Sequence, residues 1–321
     1  MKLVIIIPAF NEETSLPFVL KEIPKTIPGI SEIEVLVIDD GSADKTSAVA
    51  KAFGARLLRH SNNRGLAQTF RDGLESALFD LNADIIVNTD ADNQYNQTQI
   101  PLLVNPILEH NADLVLGSRF AGHIEYMPWA NRVGNILATK AVSIVSGLPI
   151  TDGQTGFRAF SREAALRLMV LSRYTYTQET ILQAAYHRFK VVEVPIDFRK
   201  RSGKSRLISS LFGYAKQSAL VLLMGYLNYK PLRVFLAIGG SIFLVGLAGG
   251  LFILSHFLQS GQVTPHFPLA LVSVAFLLFG SQIMALGLVA EMIKNNRKIT
   301  EDLLYRQKKM QLEKNNSKSK R

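Results

Sequence analysis

Cysteine is absent from the 321 residues, which excludes a disulfide scaffold, a thiolate metal site and a cysteine nucleophile. The six histidines are scattered without ligand spacing, so no zinc site is expected. Tryptophan occurs once, at Trp129. No G-x-G-x-x-G is present, which argues against a dinucleotide-binding dehydrogenase. Gly203-Lys204-Ser205 resembles the end of a phosphate-binding P-loop. However, Phe198 occupies the required upstream glycine position, and no strand–loop–helix context surrounds it. Most telling, charge of either sign is missing from Val234 to Ala290, a run of 57 residues. What is there instead is 48% hydrophobic and 19% charged overall, enough to bury a large core and too apolar for wholesale disorder.

The formal net charge is +10, and its position matters more than its size. Residues 197–233 are net +7 and residues 291–321 net +6, leaving −3 for residues 1–196. The basic character flanks the uncharged run, which weakens a nucleic-acid binder and points to a lipid surface. The run divides near Ser255–Pro268, a stretch holding Gly261, Pro265 and Pro268. On either side, Val234–Leu254 and Leu269–Ala290 are long enough to cross a bilayer, which takes about 20 helical residues. A buried hairpin of a soluble protein is the rival, but two such adjacent spans are hard to cover with protein. Gly239, Gly246, Gly250, Gly280 and Gly287 would permit close helix contact. Both ends of the hairpin are basic and its connector has no Lys or Arg, so both termini are expected in the cytoplasm. Leu3–Ile7 is far too short for a signal peptide, and Pro8 is expected to end it. Residues 207–231 are apolar with Lys216 and several tyrosines, and read as interfacial helices. Treated as a third span, Lys216 would cost about 2.5–3.5 kcal/mol. Residues 232–292 are then two transmembrane helices, and residues 293–321 a basic cytoplasmic tail, a short helix with a disordered end.

The N-terminal part alternates strands and helices. Lys2–Ile7, Glu34–Ile38, Asp84–Asn88 and Asp113–Gly117 read as strands; Thr14–Lys25, Asp44–Phe53, Leu66–Leu81 and Thr98–Glu109 read as helices. The pattern predicts an α/β domain with a mostly parallel, two-sided sheet, whose ligands sit at the carboxyl ends of the strands. Polar clusters fall at those ends: Asn11-Glu12-Glu13, Asp39-Asp40, Asp90 with Asp92, and Ser118-Arg119. Asp90-Ala91-Asp92 is the sharpest of them. Two carboxylates one residue apart, just past a buried strand and followed by Gln94, can bind a hard divalent cation that takes its other ligands from phosphates and water. A lone D-x-D is otherwise a solvated acidic turn.

Several motifs occur in order. They are Pro8-Ala9-Phe10-Asn11-Glu12-Glu13, Ile38-Asp39-Asp40-Gly41-Ser42-x-Asp44-x-Thr46, Asn63-Arg64-Gly65 and Asp90-x-Asp92-x-Gln94. The chain thereby resembles a GT-A (Rossmann-like) family 2 glycosyltransferase over residues 3–206. Gly117–Phe120, Asp152–Arg158 and Phe198–Ser205 resemble the polyprenyl-phosphate members, of the dolichyl-phosphate mannosyltransferase kind. The resemblance implies roles. Pro8, Phe10, Glu12, Asp40 and Ala91, with Asp90 and Asp92, would form the nucleotide-sugar pocket. Asp90, Asp92 and Gln94 would hold Mg²⁺ or Mn²⁺ with the diphosphate. Arg119 and Arg132 would hold the acceptor phosphate, and Arg199, Arg201 and Lys204 would form a basic segment closing over phosphates. Arg suits bidentate phosphate binding, while a membrane-facing basic patch is the plainer reading of the same segment; both can hold together. Asp152 would contact the sugar or a backbone turn, and Glu179 is as well explained by the start of a helix.

The expected reaction joins a nucleotide-sugar donor and a polyprenyl (dolichyl or undecaprenyl) phosphate acceptor at a membrane. It is a single inverting displacement served by positioning and electrostatics, since a lipid phosphate needs little help from a base. A processive polysaccharide synthase would normally show Q-x-x-R-W, whereas Trp129 lies in Tyr126-Met127-Pro128-Trp129, and it would need more spans. A non-catalytic membrane scaffold is opposed by the intact D-x-D. The residues leave sugar, nucleotide, lipid and oligomeric state open.

Overall fold

The computed structural model describes residues 1–170, 176–200 and 231–319. The expected interfacial helices of 207–231 therefore fall almost entirely, and Arg201 and Lys204 fall wholly, outside the described residues. The chain forms two compact units, residues 1–222 with 304–321, and residues 223–303.

In the first unit seven strands form one sheet: β1 (Lys2–Ala9), β2 (Glu32–Asp39), β3 (Arg56–Arg59), β4 (Ile85–Asn88), β5 (Leu114–Ser118), β6 (Arg158–Ser161) and β7 (Val191–Pro195). Their order is β3-β2-β1-β4-β6-β5-β7. Every neighbouring pair is parallel except β4–β6 and β6–β5, so only β6 runs backwards. The carboxyl ends of β1, β2, β4 and β5 thus share one edge with the start of β6, which gathers Ala9, Asp39, Asn88, Ser118 and Arg158 there. The helices are α1 (Leu16–Glu22), α2 (Thr46–Ala52), α3 (Leu66–Phe79), α4 (Ile100–Leu108), α5 (Trp129–Ser146), α6 (Arg162–Arg167) and α7 (Thr177–Tyr186). The core is the β-branched middle of the sheet, with Leu3 to Ile7 fully buried. The α3 helix approaches so closely at Gly73 that a Cβ there would lie 2.7 Å from Ile38 Cδ1.

The four expected strands and the four expected helices all form, with shorter helix ends. Pro8 does not end β1: it pairs with Ile38, and the strand runs on to Ala9. The strands β3, β6 and β7 and the helices α5 and α6 went unpredicted, while the helix start expected at Glu179 is that of α7. The β3 strand is four residues with arginine at both ends, and β6 begins on a buried arginine, so neither carries an apolar pattern of its own.

In the second unit, α8 (Pro231–Ser260) and α9 (Phe267–Ser319) contain the two expected spans, and both are long and apolar enough to cross a membrane. Glycines let them touch. A Cβ at Gly239 would lie 2.7 Å from the Gly280 carbonyl oxygen, and one at Gly246 would lie 2.8 Å from that of Ser273. Gly250 faces open space, and Gly249 makes the close approach to Ser273 in its place. The tail is not a short helix with a loose end: α9 continues unbroken to Ser319. Its sequence beyond Ala290 lacks Gly and Pro, and Arg297 pairs with Glu301 one turn on at 2.7 Å. Within the first unit, the Tyr305 hydroxyl of this tail donates to Glu163 at 3.0 Å beneath Arg167.

Candidate active site

The loop after β1 and the loop after β2 are laced together. The Asn11 amide donates to Ser42 Oγ at 2.9 Å, Asn11 Oδ1 accepts from the Ala43 amide at 2.8 Å, and the Glu12 amide donates to Thr46 Oγ1 at 2.9 Å. This brings Pro8, Phe10, Glu12 and Asp40 onto one platform. Pro8 is buried in β1, Phe10 stands 37% exposed just beyond it, and the Glu12 carboxylate accepts from Ser15 Oγ at 2.5 Å. Asp40 turns inward. Its carboxylate accepts from the Arg64 and Gly65 amides at 2.8 and 2.9 Å, and His60 Nδ1 lies 2.7 Å away. Asp39 is equally committed, to the Ser42 amide at 2.8 Å and to Ser47. Between them, Gly41 must be glycine: its φ is +75°, and a Cβ would lie 2.7 Å from the Asn62 carbonyl carbon.

Asp90 and Asp92 follow β4 directly and are both half-buried around buried Ala91. The Asp90 carboxylate lies over a glycine floor. A Cβ at Gly156 would stand 2.9 and 3.1 Å from its two oxygens and 3.1 Å from the Tyr176 hydroxyl. That floor is fixed from below: Asn88 Nδ2 donates to the Gly156 carbonyl at 2.7 Å and to the Tyr176 hydroxyl at 2.8 Å, and the Gly156 amide donates to the Tyr95 hydroxyl at 2.8 Å. Burial, and after it the Asp90 charge, push both the Tyr95 and Tyr176 phenols well above their ordinary range. Two neutral hydroxyl groups therefore share this pocket with Asp90. Asp92 Oδ1 accepts from the Gln94 amide at 3.1 Å, and Gln94 Nε2 donates to the Arg199 carbonyl at 3.3 Å. The carboxylates of Asp90 and Asp92 and the side-chain oxygen of Gln94 are hard donors suited to Mg²⁺ or Mn²⁺. No group of three or more His, Cys, Asp or Glu side chains able to hold a metal occurs among the described residues, so a cation here would draw its remaining ligands from a phosphate and water.

The arginines divide. Arg119 is buried at the end of β5 and grips Asp152: Nε to Oδ2 at 2.7 Å, Nη2 to Oδ1 at 2.9 Å, with its backbone amide also on Oδ2 at 3.1 Å. Burial pulls the guanidinium pKa down, but facing Asp152 raises it by more, so the net shift is upward. Asp152 is thus an arginine partner, and it also makes the expected backbone-turn contact, its Oδ1 accepting from the Gln154 amide at 3.2 Å. Arg199 pairs with Glu22, its Nη1 2.9 Å from both carboxylate oxygens. Arg132 stands exposed in the first turn of α5, and among the described residues no hydrogen bond or ion pair joins it to Arg119 or Asp152. Glu179 lies in the first turn of α7 and accepts from Gln183 at 3.4 Å.

Sequence reasoning missed the supports. Arg158 is fully buried, and among the described residues no carboxylate pairs with it. It donates to the carbonyls of Gly153, Thr155 and Thr177 at 3.1, 2.8 and 2.6 Å, stitching the Asp152–Phe157 loop to α7. Desolvation lowers its pKa to about 10. Tyr95, Tyr176, Asn88 and His60 were missed as well. Tyr95 had a signal in its position beside Gln94, and Arg158 in closing the Asp152–Arg158 motif.

A family model described as glycosyl transferase family 2 matches residues 4–168, and one described as the GtrB C-terminal hairpin matches residues 230–295. A dolichyl-phosphate hexose transferase of Haloferax volcanii is 29% identical over 205 residues, covering 64% of this chain and 86% of that protein. A UDP-N-acetylglucosamine–dolichyl-phosphate N-acetylglucosaminyltransferase of Methanococcus voltae is 30% identical over 217 residues, 60% of this chain and 83% of that one. In structure, the chain is similar to glucosyl-3-phosphoglycerate synthase of Mycobacterium tuberculosis, crystallised with Mn²⁺, UDP and glucosyl-3-phosphoglycerate. The TM-score is 0.55 at 22% identity, covering 70% of this chain and 79% of that one, and it shows a GT-A-like fold. With a family match over more than half of its length, the chain belongs to glycosyl transferase family 2, as a glycosyltransferase with a C-terminal hairpin of the GtrB kind.

Proposed function

We propose that the protein transfers a hexose from a nucleoside-diphosphate sugar to a polyprenyl phosphate, with inversion, giving a lipid-phosphate sugar for glycan assembly. The observation that carries this reading is the glycine-floored Asp90 with Asp92 at the carboxyl edge of the sheet, on a chain that also holds two apolar spans. The nucleoside would rest on Pro8, Phe10 and Glu12, with Asp40 bracing the platform through the Arg64 and Gly65 amides. Asp90, Asp92 and Gln94 would hold Mg²⁺ or Mn²⁺, which when bound neutralises a diphosphate leaving group. A lipid-phosphate oxygen would attack the anomeric carbon while the carbon–oxygen bond to the diphosphate breaks, and the nucleoside diphosphate leaves with that electron pair. The phosphate is already anionic near neutral pH, so the chain's task is to position two anions and balance their charge. Arg132 is exposed and suited to the acceptor phosphate. Arg119 could reach it only with the edge that Asp152 leaves open, and Arg199 only by loosening its pairing with Glu22. Arg201 and Lys204 are proposed for the same charge.

The flanking basic segments support a catalytic unit and termini on the cytoplasmic side. The relatives named above carry different sugars, a hexose and N-acetylglucosamine, so the donor is left as a nucleoside-diphosphate hexose or hexosamine. A test uses the purified full chain with a panel of UDP- and GDP-sugars, Mg²⁺ or Mn²⁺, and either polyprenyl phosphate or the free polyprenol. Nucleoside diphosphate release that depends on the lipid phosphate supports the proposal. A polymeric product would make the chain a processive synthase, and binding without release a scaffold.

A further inference from the structure

Helix α5 is amphipathic the wrong way round for a helix covered only by its own unit. Its buried residues are small: Ala138, Thr139 and Val142. Its exposed residues are large and apolar: Trp129 at 78%, Val133 at 37%, Ile136 at 47%, Leu137 at 63% and Ile144 at 72%. With Arg132 and Lys140, also exposed, these positions fall within less than half of the circumference of a 3.6-residue helix. The helix carries no acidic residue. Just before it, Tyr126 is 53% exposed, with the Lys200 ammonium 5.5 Å from its ring centroid. The nearest carboxylate in this stretch, Glu125, is held by the Lys200 amide at 3.0 Å.

We infer that this face of α5 lies on the surface of an anionic phospholipid bilayer, as a membrane contact of the catalytic unit itself. Three features select a bilayer over other occupants. A Trp and a Tyr stand at the start of the face, the residue types that prefer headgroup depth. Lysine and arginine lie among the aliphatic residues with no carboxylate on the helix, which complements acidic headgroups and allows the long side chains to snorkel. The same chain carries two apolar spans, so a bilayer is at hand. On this geometry Arg132 sits at phosphate depth, and a lipid phosphate reaches it without leaving the interface.

Trp129 is the chain's one tryptophan, so it reports on this face alone. The full chain is reconstituted in nanodiscs containing phosphatidylglycerol, without donor or acceptor, so the result is independent of the proposed transfer. The expected result is a blue-shifted emission, strong quenching by acyl-brominated phospholipids and weak quenching by aqueous iodide. Leu137→Asp with Ile144→Asp, both at exposed positions, should reduce the brominated-lipid quenching and restore iodide access. Lys140→Glu should make the quenching fall as the anionic lipid fraction rises. Full iodide access without brominated-lipid quenching overturns the inference. So does shielding from both quenchers, which would mean cover by protein, either a second copy or residues 201–230.

Discussion

Two acidic pairs stand at the same edge of the sheet and serve opposite ends. Asp39 and Asp40, after β2, are buried and turned into the chain, where they hold backbone amides, a serine and His60. Asp90 and Asp92, after β4, are half-buried, and Asp90 is set over a glycine. Asp152 sides with the first pair, being fully buried and gripped by Arg119. Carboxylates of the first kind are part of the folded frame, while the second kind is kept at the edge by neighbours that the frame holds still. The difference predicts that substitutions sort cleanly between lost stability and lost turnover.

The largest effect is expected at Asp152. Asp152→Ala leaves Arg119 buried without its counter-charge and should cost about 3–5 kcal/mol of stability, read as a lowered denaturation midpoint. Next, Asp90→Ala and Asp92→Ala should each lower turnover by about 10²–10³-fold with the midpoint held, measured as nucleoside diphosphate release. Near-normal rates with Mg²⁺ or Mn²⁺ would refute the proposed metal site. Asp40→Ala removes an acceptor shared by two amides and His60, and should cost about 1.5–3 kcal/mol. Should it instead abolish turnover without loss of stability, the contrast between the pairs fails. Gly156→Ala sharpens the comparison at least cost to the fold. A Cβ at 2.9 Å displaces the Asp90 carboxylate, so turnover should fall about tenfold, roughly 1.4 kcal/mol of barrier, with a small change in midpoint.

Much of this arrangement was legible before any coordinates. The apolar runs Leu3–Ile7 and Ile85–Val87 mark the strands because a buried parallel sheet needs β-branched residues on both faces. The acidic clusters that end those runs mark the edge proposed to bind ligands. Arg119 was legible as a candidate site residue, but its bond to Asp152, 33 residues away, was not. Tyr176 closes on Gly156 and Asn88 across 88 residues of separation from the latter, and no local pattern announces such a contact. The strands β3 and β6 escaped for the related reason that arginine sits at their ends, so their pairing partners rather than their own pattern make them strands.

By itself the sequence determined the α/β class, the edge proposed to carry the chemistry, the uncharged hairpin and the basic segments beside it. Each of these rests on period, composition or adjacency, which act over a few residues and are written in order along the chain. The tertiary structure alone decided which carboxylates face inward, which glycine underlies Asp90, that Gly249 rather than Gly250 meets Ser273, and that the large side chains of α5 face outward. Those outcomes depend on groups brought together from distant positions, where a shift of one residue on a helix turns a side chain through 100° and exchanges a buried face for an exposed one.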